Sequence, residues 1–161
     1  MDWKKFRNCF WRVPLLAFIA GLLYIPCYVR IVLRFGVIAP GEIDGTVSLL
    51  TSGGLMVIFL LAGWLILLRS QTRREIFVSS SLVVAYGLIL WAIQMLTGST
   101  TGPGAVFFLR MGTPLEWMNF PSVLSLYLTE RIGITVPFLG FLRFFVPWLL
   151  VPLGDRGNAR G

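Results

Sequence analysis

The chain has 161 residues, 57% of them hydrophobic and only 13% charged, with no histidine and two cysteines. Soluble domains carry about a quarter charged residues, so this composition excludes an ordinary globular domain; zinc, haem and copper sites would lack their usual histidines or paired cysteines, and no metal or other cofactor is expected. The net charge of +7 would suit nucleic acid, but the cations flank apolar runs instead of forming one basic face, so the expected partner is the lipid bilayer, not nucleic acid.

Residues Met1 to Arg12 mix Lys4, Lys5, Arg7 and Arg12 with Trp3, Phe6, Phe10 and Trp11, a composition suited to the headgroup level of a membrane. The first apolar run, approximately 13–33, has no small-residue cleavage site at its end and reads as a retained helix bent near Pro26. Within it Ala17 and Gly21 form a small-xxx-small pair, a weak sign of close helix contact. Cys9 and Cys27 mark its two ends, about 27 Å apart along a helix and beyond disulfide reach. A glycine-rich connector with Pro40, Glu42 and Asp44 leads to the second run, approximately 46–68. The link from Arg69 to Glu75 is short, which predicts an antiparallel hairpin between this run and the third, approximately 76–97.

After the breakers Gly98 to Gly104, residues 105–131 contain no uninterrupted apolar stretch long enough to span. Thr113-Pro114-Leu115-Glu116 fits a helix start, with a hydroxyl cap, proline in the first position and glutamate three residues after the cap. Trp117, Phe120, Leu124 and Tyr127 then recur at helical spacing. The expectation is a helix lying in the outer interface, or a re-entrant hairpin, broken at Pro121. The fourth run, approximately 132–153, carries Pro137, Pro147 and Pro152, with Arg143 near its middle.

Counting cations sets the orientation. With the N-terminus inside, the inner segments hold nine lysines and arginines and the outer segments four. The fold expected over residues 1–161 is therefore a single transmembrane domain, an all-α membrane protein. It is a bundle of four transmembrane helices, N-in and C-in, with an additional outer interfacial or re-entrant helix between spans three and four. A plasma or bacterial inner membrane, with both termini cytoplasmic, suits that arrangement.

Arg143 is the sharpest functional signal, since an arginine near the bilayer midplane costs about 2.5–3.5 kcal/mol on insertion scales. One reading is a site for an anion or headgroup, held by two parallel guanidinium bonds. The other is an internal tie to carbonyls freed near Pro147, or to Glu130, without a ligand. Arg30 and Arg34, one turn apart, could clamp an anion or instead reach the outer headgroups and the acids Glu42 and Asp44. Polar residues gather in the outer parts of the spans: Tyr24, Cys27 and Tyr28 in the first, Thr46 to Gly54 in the second, Gln94 in the third. With Glu116, Asn119 and Glu130 they would line a wet vestibule leading to Arg143, or else serve helix packing. The ligand-binding candidates are Arg143, Gln94, Arg30, Arg34, Tyr28 and Glu116. Ser79, Ser80 and Ser81 read as packing or capping residues, and the aromatics of run four as lipid-facing or packing bulk.

No catalytic constellation stands out. A membrane aspartyl peptidase needs two carboxylates in one site, whereas Asp44 is the only aspartate away from the chain's ends. A serine–histidine–aspartate arrangement is impossible without histidine, and no phosphate-binding loop motif occurs. The leading expectation is a transport or permeation component with an outward-facing site for an anionic or amphiphilic molecule. The alternatives are a non-catalytic subunit or assembly factor of a larger membrane complex and, last, a lipid-modifying enzyme. Four spans are few for a monomeric transporter, so a homo-oligomer or partner membrane subunits are expected as well.

Overall fold

The computed structural model describes residues 10–39, 42–68, 71–98 and 102–155. The basic and aromatic segment ahead of residue 10, Cys9 within it, and the polar tail from residue 156 lie outside the described residues. Three helices are long and apolar enough to cross a membrane. Helix α1 is Arg12–Phe35, α2 is Gly45–Gly63 continued by a π-helical turn Trp64–Leu68, and α3 is Arg73–Thr97. At about 1.5 Å per residue each reaches across a hydrocarbon core of about 30 Å.

Local chemistry sets the ends of these helices. Asp44 caps α2 by accepting a bond from the Thr46 amide at 2.8 Å. A capping box opens α3: the Thr72 hydroxyl accepts from the Glu75 amide at 3.4 Å, and the Glu75 carboxylate accepts from the Thr72 amide at 2.9 Å. Gly98, at φ 60°, turns the chain out of α3. The connector between α1 and α2 folds into a small antiparallel hairpin, β1 Val37–Ala39 against β2 Glu42–Ile43.

Side-chain contacts fix the directions of packing. The Tyr24 hydroxyl donates to Ser52 at 3.1 Å and Tyr28 shares a 2.5 Å bond with Ser48, so α1 and α2 run antiparallel. Near the start of α1, the Val13 amide donates to the Ser79 hydroxyl at 3.3 Å, and that hydroxyl donates to the Phe10 carbonyl at 2.9 Å. Further along, α1 and α3 both meet the same turn at residues 111–114, so they run parallel. The core gathers around α1, from Val13, Leu16, Ala17, Ala20 and Tyr24, with Met56, Ile76, Val83, Trp117 and Leu150 packed about it.

Residues 102–132 form a V that enters the bundle to mid-height. Helix α4, Gly102–Gly112, leads in from the end where α3 finishes; a 3₁₀ segment, Thr113–Met118, makes the tip; and α5, Phe120–Ile132, leads back out. Phe120 lies against Gly53, and Tyr127 against Gly45 at the start of α2. The tip touches the middle of both long parallel helices. The backbone of Thr113 and Pro114 lies directly on Gly21 of α1, where any Cβ would collide with it, and the Tyr86 hydroxyl of α3 donates to the Met111 carbonyl at 2.5 Å. Trp117, wholly buried, fills the tip.

Two expectations for this region change. Thr113 is not a helix cap: its hydroxyl donates backward to the Leu109 carbonyl at 3.4 Å, and the 3₁₀ segment begins after Gly112 without a side-chain cap. Pro121 does not break a helix but sits in the first turn of α5, where its missing N–H has no bond to lose.

The fourth apolar run is not one α-helix either. Ile132 closes α5, Gly133 at φ 71° caps it, and residues 133–136 are irregular. Helix α6, Pro137–Leu142, then passes into an eleven-residue 3₁₀ segment, Arg143–Leu153. An α-helical Pro147 would set its ring against the Arg143 carbonyl, and Pro152 would do the same to Trp148, so the tighter winding is retained. Phe144, Pro147 and Leu150, three residues apart as this winding requires, are buried. The segment runs antiparallel to α3, with Phe144 on Gly87, the Ser80 hydroxyl donating to the Pro147 carbonyl at 3.0 Å, and Trp148 stacked on Phe77. At its far end Arg73 donates to the carbonyls of Gly154 and Pro152 at 3.2 and 3.1 Å, and the Trp64 indole donates to Leu153 at 2.7 Å.

Candidate functional site

A cavity of about 210 Å³ lies between α3, α4, the tip of the V and the start of the second 3₁₀ segment. Helical periodicity builds two of its walls. Gly87, Leu90, Trp91 and Gln94 occupy one face of α3 at intervals of three, four and seven residues, and Ala105, Phe108, Leu109 and Gly112 repeat those intervals on α4. Leu115 and Glu116 close it from the tip, Arg143 and Phe144 from the 3₁₀ segment. Along α3 it extends for about 10 Å, from mid-helix to the last turn. Trp91 and Leu109 are exposed and mark its rim.

The polar groups of this wall are few. Arg143 is half-buried, with its guanidinium carbon 4.9 Å from the centre of the Phe144 ring, a cation–π contact. Glu116 is half-buried too; burial raises its carboxyl above the usual range, and the nearby Arg143 charge opposes that rise. The two do not form an ion pair, and among the described residues the guanidinium has neither a carboxylate partner nor a hydrogen bond. Glu130 does not supply the expected internal tie, since its carboxylate lies by Gly45 at the start of α2, and the Pro147 carbonyl accepts from Ser80.

Of the six candidates read from the sequence, Arg143, Gln94 and Glu116 line this cavity together. The other three do not. Tyr28 bonds Ser48 and stacks on Tyr24 with ring centres 5.4 Å apart, so its polar atom serves the α1–α2 contact. Arg30 and Arg34 are exposed on α1, with Arg34 lying over its neighbour Phe35 at 5.5 Å. Asn119 lies at the tip of the V outside the wall, and the polar face of α2 bonds to α1.

The aromatic part of the site, Trp91, Phe108 and Phe144, is not among those candidates. The repeated spacing on α3 and α4 is the signal that could have found it, together with the adjacency of Arg143 and Phe144. Ser80, expected as a packing or capping residue, is completely buried and fastens the 3₁₀ segment that carries Arg143.

Comparison with protein-family models, curated proteins and solved structures gave no match. The chemistry must therefore be read from the wall itself. One cation with no ion-paired carboxylate among the described residues, one carboxylate, one amide and an aromatic and aliphatic lining suit a small molecule with an anionic head and an apolar body. Neither an activated nucleophile nor a cluster of metal-binding side chains occurs among the described residues of the cavity.

Proposed function

We propose that this chain is a transport or permeation component whose cavity holds an anionic or amphiphilic molecule against Arg143. The observation that carries the reading is the guanidinium itself: half-buried at mid-height, on a cavity wall, with no protein anion paired to it among the described residues. Such a charge is costly in an apolar setting unless something neutralises it. A bound carboxylate or phosphate would do so with two parallel hydrogen bonds.

The membrane placement belongs to the same proposal. Six α-helical and eleven 3₁₀ residues make the helical part of the fourth run about 31 Å long, enough for a fourth crossing although it has only seventeen residues. The excess of cations on the inner segments orients the chain N-in and C-in. The V then becomes a re-entrant hairpin entering from the outer face, and the cavity lies in the outer half. Irregular backbone at that depth is tolerated where it is enclosed by protein or lines a cavity, as the 3₁₀ tip does between α1 and α3.

Native mass spectrometry of the protein released from mild detergent, wild type against Arg143→Gln, tests the reading. A bound small-molecule mass on the wild type that disappears from the variant is the expected result. The same bound mass on both proteins, or a stoichiometric partner chain with no small ligand, would overturn it.

A further inference from the structure

We propose that the cavity takes up its anion together with one proton, and that Glu116 is where the proton resides. This rests on reading Arg143 as the anion site. Arg143 is the one cation and Glu116 the one carboxylate among the described residues of the wall. With the cavity empty, the two opposite charges balance across it. An anion entering beside an ionised Glu116 would leave a net negative charge among Leu90, Trp91, Phe108, Leu115 and Phe144. An uncompensated charge in such surroundings is strongly disfavoured. Protonating Glu116 restores neutrality, so the cavity has two balanced states: empty with Glu116 ionised, or occupied with Glu116 protonated.

The local field acts in the same direction. Burial already favours the protonated carboxyl, and Arg143 is what opposes it. An anion paired with the guanidinium cancels that opposition, so binding and protonation reinforce each other, as linkage requires. No covalent bond forms or breaks apart from the carboxyl O–H, whose proton comes from solution. The other titratable group that interacts with Glu116 is Tyr24 of α1, whose hydroxyl is bonded to Ser52 of α2. From α3 the wall presents the uncharged Gln94, and on α4 Arg110 is exposed and off the wall. A site with this coupling would move an anion and a proton in the same direction without net charge.

Benzoate is a suitable probe, having a carboxylate for the guanidinium and a ring for the aromatic wall. An apolar cavity of about 150 Å³ already admits benzene. Purified protein in detergent would be titrated with benzoate between about pH 5.5 and pH 8, where the probe stays ionised. Binding would be read from tryptophan fluorescence, and proton uptake from an indicator dye in weak buffer. The expected result is uptake approaching one proton per benzoate bound, with affinity falling about tenfold per pH unit above the carboxyl's titration. Glu116→Gln should bind benzoate independently of pH and without proton uptake. Benzoate that binds the wild type and needs Arg143, yet takes up no proton, overturns the coupling and leaves the anion site standing. If the wild type does not bind benzoate at any pH, or Arg143→Gln binds it equally well, the anion site itself falls. Proton uptake by the wild type decides the coupling even if the Glu116 variant fails to fold.

Discussion

Replacing Gly21 by alanine tests whether the tip of the V really sits against the middle of α1. In an open helix interior, glycine to alanine gains roughly 0.5–1 kcal/mol by reducing backbone freedom in the unfolded chain. At Gly21 the added Cβ would run into the Thr113 carbonyl and lie 2.8 Å from the Pro114 Cα, both main-chain atoms. No side chain can rotate away, so the V must move, and overpacking of this kind costs about 1–3 kcal/mol. Gly54 on α2 is the matched control, because a Cβ there meets nothing within 4 Å. The helix-propensity gain is common to both variants and cancels. Gly21→Ala should therefore be about 1–3 kcal/mol less stable than Gly54→Ala, measured by unfolding in mixed micelles of increasing denaturing detergent with circular dichroism as the signal. Equal stability of the two variants would mean that the V does not touch α1 at Gly21, and the cavity beside the tip would lose its floor.

Two further outcomes are expected. Thr72→Ala removes half of the capping box of α3 and should cost about 1 kcal/mol in the same unfolding assay, whereas Thr97→Ala, whose hydroxyl bonds only within its own last turn, should change stability by less than half as much. Reporter fusions truncated after Gly98 should be active for a periplasmic enzyme, and those made after Asp155 for a cytoplasmic fluorophore; the same side for both would remove the fourth crossing.

The three long helices are legible in the sequence because each is a strongly apolar run of about twenty residues, charged at most near its ends, a length matched to the hydrocarbon core and rare in water-soluble chains. Arg143, Glu116 and Gln94 are legible for the complementary reason, being polar groups set among apolar neighbours. Arg30, Arg34 and Tyr28 have the same chemical credentials, and their separation from the cavity depends on helix rotation, which hydropathy does not encode. The fourth run looks like a uniform helix because hydropathy is blind to winding, although two prolines five residues apart already forbid regular α bonds. The capping box at Thr72 and Glu75 is present as threonine and glutamate three apart, but a helix drawn from the apolar run alone starts at Ile76 and passes over it. At Thr113 the same pattern points to the wrong cap, since the hydroxyl finds a nearer carbonyl behind it.

The second 3₁₀ segment also acts as a spacer of set length. It is moored at one end, where Arg73 and Trp64 hold the carbonyls of residues 152 to 154, and it bears Arg143 at the other. Eleven residues wound as 3₁₀ are about 5 Å longer than the same residues wound as α. Pro147 and Pro152 keep the segment at the longer of these lengths, so two side chains that touch no ligand determine how far from the mooring the guanidinium stands. Exchanging both for alanine would let the rod contract by nearly one helical turn, drawing Arg143 and its neighbour Phe144 toward the mooring while the lining residues of α3, α4 and the tip of the V stay in place.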